Sequence, residues 1–127
     1  MWGIPTDPVA RGPAPRDIFH ITTEADWAQA QAEGAYALST RGLTLAQVGF
    51  VHCAFEGQVS FVANAFFRGV GNLVVLRIAI DRLKVEVRYE DLQGGHELFP
   101  HVYGPLNLDA VLATMPLAGG TDGTFRF

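Results

Sequence analysis

The chain has 127 residues, 49% of them hydrophobic and 17% charged, with a formal net charge of −4. This describes one domain with a core that needs no staples, and it excludes a disordered chain. The scattered Lys and Arg leave no basic stripe for nucleic acid, the single Cys53 excludes a disulfide framework or a Cys-rich zinc site, and no run approaches the roughly 18 apolar residues of a membrane span.

Residues 1–16 contain four prolines and no apolar run. They lack the apolar middle of a signal peptide, so a flexible lead-in is expected, followed by a single α+β domain over 17–127. The free cysteine fits a reducing compartment, and the expected location is cytoplasmic. Asp17–Thr22, "DIFHIT", is a run of strand formers with Phe19 and Ile21 on one face. Thr23 is then a good N-cap, with Asp26 at the capping-box position and Gly34 as the residue that closes the helix "EADWAQAQAE". "AYALSTRGLTLAQVGF" is expected to be a loop with one helical turn around Leu45. Phe50–Ala54, "FVHCA", is a second short strand. "EGQVSFVANAFFRG" carries Val59, Val62, Ala63, Phe66 and Phe67 at helical spacing, with Gly69 as its end.

Leu73–Ile80 is apolar on both faces, as a central buried strand should be. "KVEVRYED" alternates, with Val85, Val87 and Tyr89 on one side. "LQGGHE" is a turn, and "LFPHVYG" is a strand that Pro100 assigns to an edge, a start or a bulge. "AVLATMPL" is the last strand, before a glycine-rich tail. Helices placed ahead of a series of strands predict an α+β fold with antiparallel sheets, not alternating parallel units.

Chemistry concentrates in three histidines, each in a predicted strand with apolar flanks: His20, His52 and His101. His96 lies in the Gly-Gly turn. One buried histidine most often satisfies a backbone group and does nothing more. Three are costly to bury without partners and point to a shared polar cleft. Together with Glu97 they could supply three or four metal ligands, but no HxH, HxxxH or HExxH spacing is present. No metal residue is therefore assigned. Cys53 and His52 are neighbours on a strand and face opposite ways, which makes Cys53 a packed structural thiol instead of a nucleophile. No phosphate loop is present. A cleft that holds a nucleotide through stacking and ribose hydroxyls suits His, Tyr and a carboxylate.

"IFHIT", "GFVHCA" before a helix, "NLVVLRIAID" and "ELFPHVYGPLNLDAV" together resemble the bacterial domain-of-unknown-function family 952, across about Asp17 to Leu117. The resemblance implies an ADP-ribosyltransferase-like fold: a split antiparallel β core of two small sheets with two packed helices, and an NAD cleft between the sheets. It implies that His20 and His52 contact the nucleotide, NAD being a substrate, with Glu97 or His101 at the late-strand catalytic position and Tyr103 a further ligand contact. Arg41 or Arg68 could meet the pyrophosphate, although each is as readily a solvated surface residue. The sequence departs from the His-Tyr-Glu set of that fold, having His52 where a tyrosine is usual. It also has Ala54 where family members often have serine. The expected function is binding or cleavage of NAD or an ADP-ribose-like nucleotide. The alternatives are a non-catalytic nucleotide or small-anion module, or a small histidine-based metal protein.

Overall fold

A computed structural model describes residues 17–92 and 94–127. The expected lead-in over residues 1–16 lies outside the described residues. In chain order the first half holds β1 (Asp17–Thr23), α1 (Glu24–Glu33), β2 (Ala35–Tyr36), β3 (Leu38–Thr40), β4 (Leu43–Thr44), α2 (Leu45–Val48), β5 (Val51–His52) and α3 (Val59–Phe66). The second half is nearly all strand: β6 (Leu73–Ala79), β7 (Val87–Glu90), β8 (Phe99–Val102), β9 (Leu106–Asn107) and β10 (Val111–Leu117). Among the described residues no helix is long and apolar enough to cross a membrane.

Two three-stranded sheets dominate, ordered β1-β6-β10 and β5-β8-β7, and the strand pairs β2-β9 and β3-β4 flank them. Every pairing between these strands is antiparallel. The α+β architecture with small antiparallel sheets is thus the one the order of elements predicts.

β6 is the central strand of its sheet and is buried on both faces, as its unbroken apolar run demands. One face joins Ile18, Leu76 and Ile78 to Val51 and Val102 of the other sheet, with Tyr36, Cys53 and Leu106 in the same core. The opposite face packs Phe19, Ile21, Leu73 and Val75 under Val59 and Ala63 of α3. The tail folds back on this second core: Phe125 is buried in it. The side-chain amide of Asn64 in α3 holds the Phe125 backbone: its Oδ1 accepts from the Phe125 amide at 2.8 Å and its Nδ2 donates to the Phe125 carbonyl at 3.0 Å.

Local signals explain the helix ends. Thr23 Oγ1 accepts from the amide of Asp26 at 3.1 Å, and Gly34 takes the left-handed conformation, φ 89°, that closes α1. Thr44 and Gln47 form a reciprocal capping box on the single turn of α2. α3 stops at Phe66 and is capped by Phe67, before the expected Gly69.

Three expectations are corrected. The loop expected after α1 contains β2, β3 and β4, strands so short that no alternation marks them. The strand expected over Phe50–Ala54 is regular only at Val51–His52. Its last residue, Ala54, pairs with Phe19 of β1, so the chain passes from one sheet to the other within this segment. Pro100 lies in the middle strand of its sheet, not at an edge. Pro100 is the second residue of β8, and its carbonyl accepts from the amide of Cys53 at 3.0 Å. The side lacking an N–H therefore faces Cys53, where β5 has already ended. Only the reciprocal bond to Cys53 is lost, while the ladder to β7 is untouched. The register with β7 runs unbroken from Phe99 to Val102, without a bulge.

Candidate functional site

Alternation along β5, β8 and β7 sorts the second sheet into two faces. Val51, Cys53, Val87 and Val102 go to the core. Phe50, His52, Phe99, His101 and Tyr103 go to the other face, joined from β7 by Arg88 and Glu90. His52 stands directly opposite His101, and Arg88 flanks His101 on the other side.

His101 is 3% exposed. Phe50 stacks on it, with ring centres 4.1 Å apart and 25° between planes. Its Nδ1 donates to Glu90 Oε1 at 2.9 Å, because a carboxylate can only accept there. The same oxygen accepts from the Tyr103 hydroxyl at 2.6 Å. The Tyr103 hydrogen bond is the main reason the Glu90 carboxyl is held below its usual range, with His101 adding to it. Reciprocally, Glu90 pushes the Tyr103 phenol up. The Arg88 guanidinium lies 4.2 Å over the Tyr103 ring, a cation–π contact that covers this corner. His52 presents its edge to His101, centres 5.2 Å apart. Burial, and then the neighbouring His101, lower the His52 pKa.

His20 is held differently. It is 2% exposed, on the same face of β1 as Thr22. Its Nδ1 donates to the backbone carbonyl of His52, tying the two sheets together. Its Nε2 is 2.7 Å from the Tyr36 hydroxyl, which is 2.9 Å from Thr22 Oγ1. Burial drives the His20 pKa down to about 4, so the ring is neutral. With the proton on Nδ1, Nε2 must accept from Tyr36, and Thr22 in turn donates to Tyr36. Both nitrogens of His20 are therefore spent. By contrast, among the described residues no hydrogen bond engages either ring nitrogen of His52 or Nε2 of His101.

A cavity of about 130 Å³ opens where the sheets meet α3. His20, His52 and His101 all line it, together with Thr40, Phe61, Phe66, Phe67 and Phe99. Phe61 and Phe66 are 60% and 49% exposed, so the aromatic wall continues onto the surface. Arg41 follows Thr40 in the chain and donates to the carbonyl of Phe66 at 3.2 Å, which places it beside this rim. Arg68 donates instead to the carbonyl of Asp122, at 3.3 Å.

The structure thus gathers the three strand histidines into one cavity and attaches Tyr103 to its edge through Glu90. It does not bring Glu97 there. Glu97 precedes β8, is exposed, and accepts at 2.9 Å from Gln58, which also donates to the carbonyl of Leu98. The carboxylate beside the histidines is Glu90. Sequence reasoning missed it, although the alternation that puts Val85, Val87 and Tyr89 on one side puts Arg88 and Glu90 on the other. Phe50 and Tyr36 were missed as well, and their roles depend on pairings between distant segments. Cys53 is buried in the core, and burial pushes its thiol pKa well up. Among the described residues no group of three or more His, Cys, Asp or Glu could hold a metal ion.

No curated protein matches the chain. Solved structures of protein CC0527 from Caulobacter crescentus do. Its X-ray crystal structure is 31% identical, with a TM-score of 0.76, over 87% of this chain and 93% of that one. Its solution NMR structure is also 31% identical, with a TM-score of 0.71, over 85% and 90%. The model of the family described as "Protein of unknown function (DUF952)" matches residues 21–114, and the chain belongs to that family.

Proposed function

We propose that the cavity is the binding site of a nucleotide-like small molecule, one ring of which enters between the phenylalanine wall and the histidines. The observation that carries this reading is the contrast among the three histidines. His20 is fully bonded within the protein, whereas His52 and His101 bring unspent ring nitrogens to the same aromatic-walled space. Polar groups left open at an apolar concavity are what fix the orientation of a ligand. Size restricts what enters. The cavity, at about 130 Å³, is well below the ~300 Å³ lower limit of pockets that enclose a whole drug-sized ligand. It takes one heterocycle or one ribose, and the remainder of the ligand lies over Phe61 and Phe66, within reach of Arg41. A nicotinamide or adenine nucleotide has these parts. The implied kinship with ADP-ribosyltransferase-like folds favours the nicotinamide nucleotides, NAD and its mononucleotide half. The small separate sheets that meet beside the cavity are consistent with it.

Isothermal calorimetry with nicotinamide mononucleotide, NAD and ADP-ribose tests the reading. Binding of at least one at micromolar to millimolar concentration is expected, weakened about tenfold or more in His52→Ala, in line with the loss of one hydrogen bond to a ligand. No heat from any of the three at millimolar concentration removes the nucleotide reading.

A further inference from the structure

The sheet β1-β6-β10 is longer than the helix that covers it. The seven residues of β1 span ~23 Å, whereas the eight of α3 span ~12 Å. Ahead of α3 the same face continues through Phe19 and Asp17 of β1, Arg77 of β6 and Met115 of β10, and these floor a groove of about 680 Å³. Phe55, Glu56 and Phe127 complete it. Its aromatic rings are fixed. The Phe127 amide donates to Ser60 Oγ at 2.8 Å, and the ring meets Phe19 edge-on, centres 5.5 Å apart. Phe55 stacks on Tyr89, centres 5.8 Å apart with 15° between planes. Its polar groups are only partly used. Arg77 Nε and Nη2 both donate to Asp17 Oδ2 at 2.7 Å, while Nη1 has no hydrogen bond among the described residues. The exposed Glu56 forms no ion pair among them.

An aromatic groove with an unpaired carboxylate and a free guanidinium donor suits a proline-rich, basic segment. Such sequences favour the polyproline conformation, which makes no internal hydrogen bonds, keeps its carbonyls open and docks on aromatic-lined grooves. This chain carries one at the edge of the groove. Residues 1–16 join the fold at Asp17 and hold four of its seven prolines. They set Arg11 and Arg16 against Asp7 alone, so they are net positive in a chain of net charge −4. We propose that the groove is the docking site of the chain's own residues 11–16. Pro13 and Pro15 lie against Phe55 and Phe127, Arg11 meets Glu56, and a peptide carbonyl accepts from Arg77 Nη1. Reach permits this, since Pro13 is four residues from Asp17, or ~12 Å at ~3.1 Å per residue. The tether also supplies strength: a short linker holds its segment at an effective concentration of about a millimolar, so contacts too weak for a free peptide suffice. Phe19 lines both this groove and the histidine cavity, so the docked segment lies behind a wall of that cavity.

Paramagnetic broadening in the whole chain tests this. Val9→Cys gives a nitroxide an attachment point, because Cys53 is buried and reacts slowly. The label should broaden the amide signals of Gly57, Arg77 and Met115 far more than that of Gly42, which lies near Phe66 at the other end of α3. In Glu56→Lys, an exposed position that leaves the core intact, the docked population should fall about two- to fivefold, the worth of one exposed ion pair. Adding Arg11→Glu to Glu56→Lys should restore the broadening. Equal broadening at Gly42 and the groove, or none at the groove, overturns the docking. Failure of the charge swap to restore it overturns the pairing of Arg11 with Glu56. A mixture of nitroxide-bearing chains with unlabelled, nitrogen-15 chains should show no broadening. Broadening there assigns the groove to a second copy and overturns occupation by the chain's own segment.

Discussion

His20 donates through Nδ1 to the backbone carbonyl of His52, and this bond joins the two sheets at the point where the cavity opens. One histidine thus sets the position of another. The chemistry of the cavity belongs to His52 and His101, and the geometry that presents His52 belongs to His20, Tyr36 and Thr22.

Replacement of His20 by Ala is expected to destabilise the fold by about 2 kcal/mol, since it leaves the His52 carbonyl without its buried partner and the Tyr36 hydroxyl with Thr22 alone. His52→Ala should cost much less, because its ring nitrogens hold no hydrogen bond among the described residues. Chemical denaturation of the two variants checks the order. Equal losses would contradict the division of roles.

Acid should weaken the protein in a defined window. The pKa of His20 falls from about 6.5 when unfolded to about 4 when folded, so between these values the unfolded state binds more protons. Stability from this group is complete above pH 6.5 and is lost as pH falls toward 4, by an amount on the order of 3 kcal/mol. His52 is shifted the same way and adds to the loss. Denaturation midpoints from pH 7.5 to 4.5 should fall in the native protein and fall less in His20→Ala.

Cys53 should resist modification. It is 5% exposed, and burial holds it as the thiol. A thiol reagent is expected to label the native protein orders of magnitude more slowly than the unfolded one. Labelling at the rate of a free small thiol would contradict the packing described.

Gly104 follows Tyr103 and leaves no space for a side chain. A Cβ there would sit 2.5 Å from Val85 Cγ1 and 2.9 Å from its Cβ. Gly104→Ala is therefore expected to cost about 1–3 kcal/mol, the range of overpacking in a filled site, and to displace Tyr103 from Glu90. A melting temperature unchanged from the native protein would count against this close approach.

What was legible in the sequence follows from the range of the signals. The helix start at Thr23 and the stop at Gly34 are written in adjacent residues, and the structure has both. The double-sided burial of β6 is written in its apolar run. The gathering of His20, His52 and His101 was legible through cost, since each sat in an apolar strand. Their division of labour was not. It depends on Tyr36, which lies in a two-residue strand too short for any period to mark, and on the crossing of Ala54 to β1. The carboxylate of the site was misplaced for a similar reason. Glu97 is near His101 in the chain but precedes the start of β8, whereas Glu90 reaches His101 across the β7-β8 pairing, which no local pattern encodes.

The central claim is that His52 and His101 face a ligand and His20 does not. Nitrogen-15 imidazole spectra recorded during titration with nicotinamide mononucleotide test it most directly. The account predicts that the ring resonances of His52 and His101 shift as the site fills, while those of His20 stay within experimental error of their starting positions. Saturating shifts confined to His96 or His20, or none at His52 and His101 at millimolar nucleotide, would contradict it.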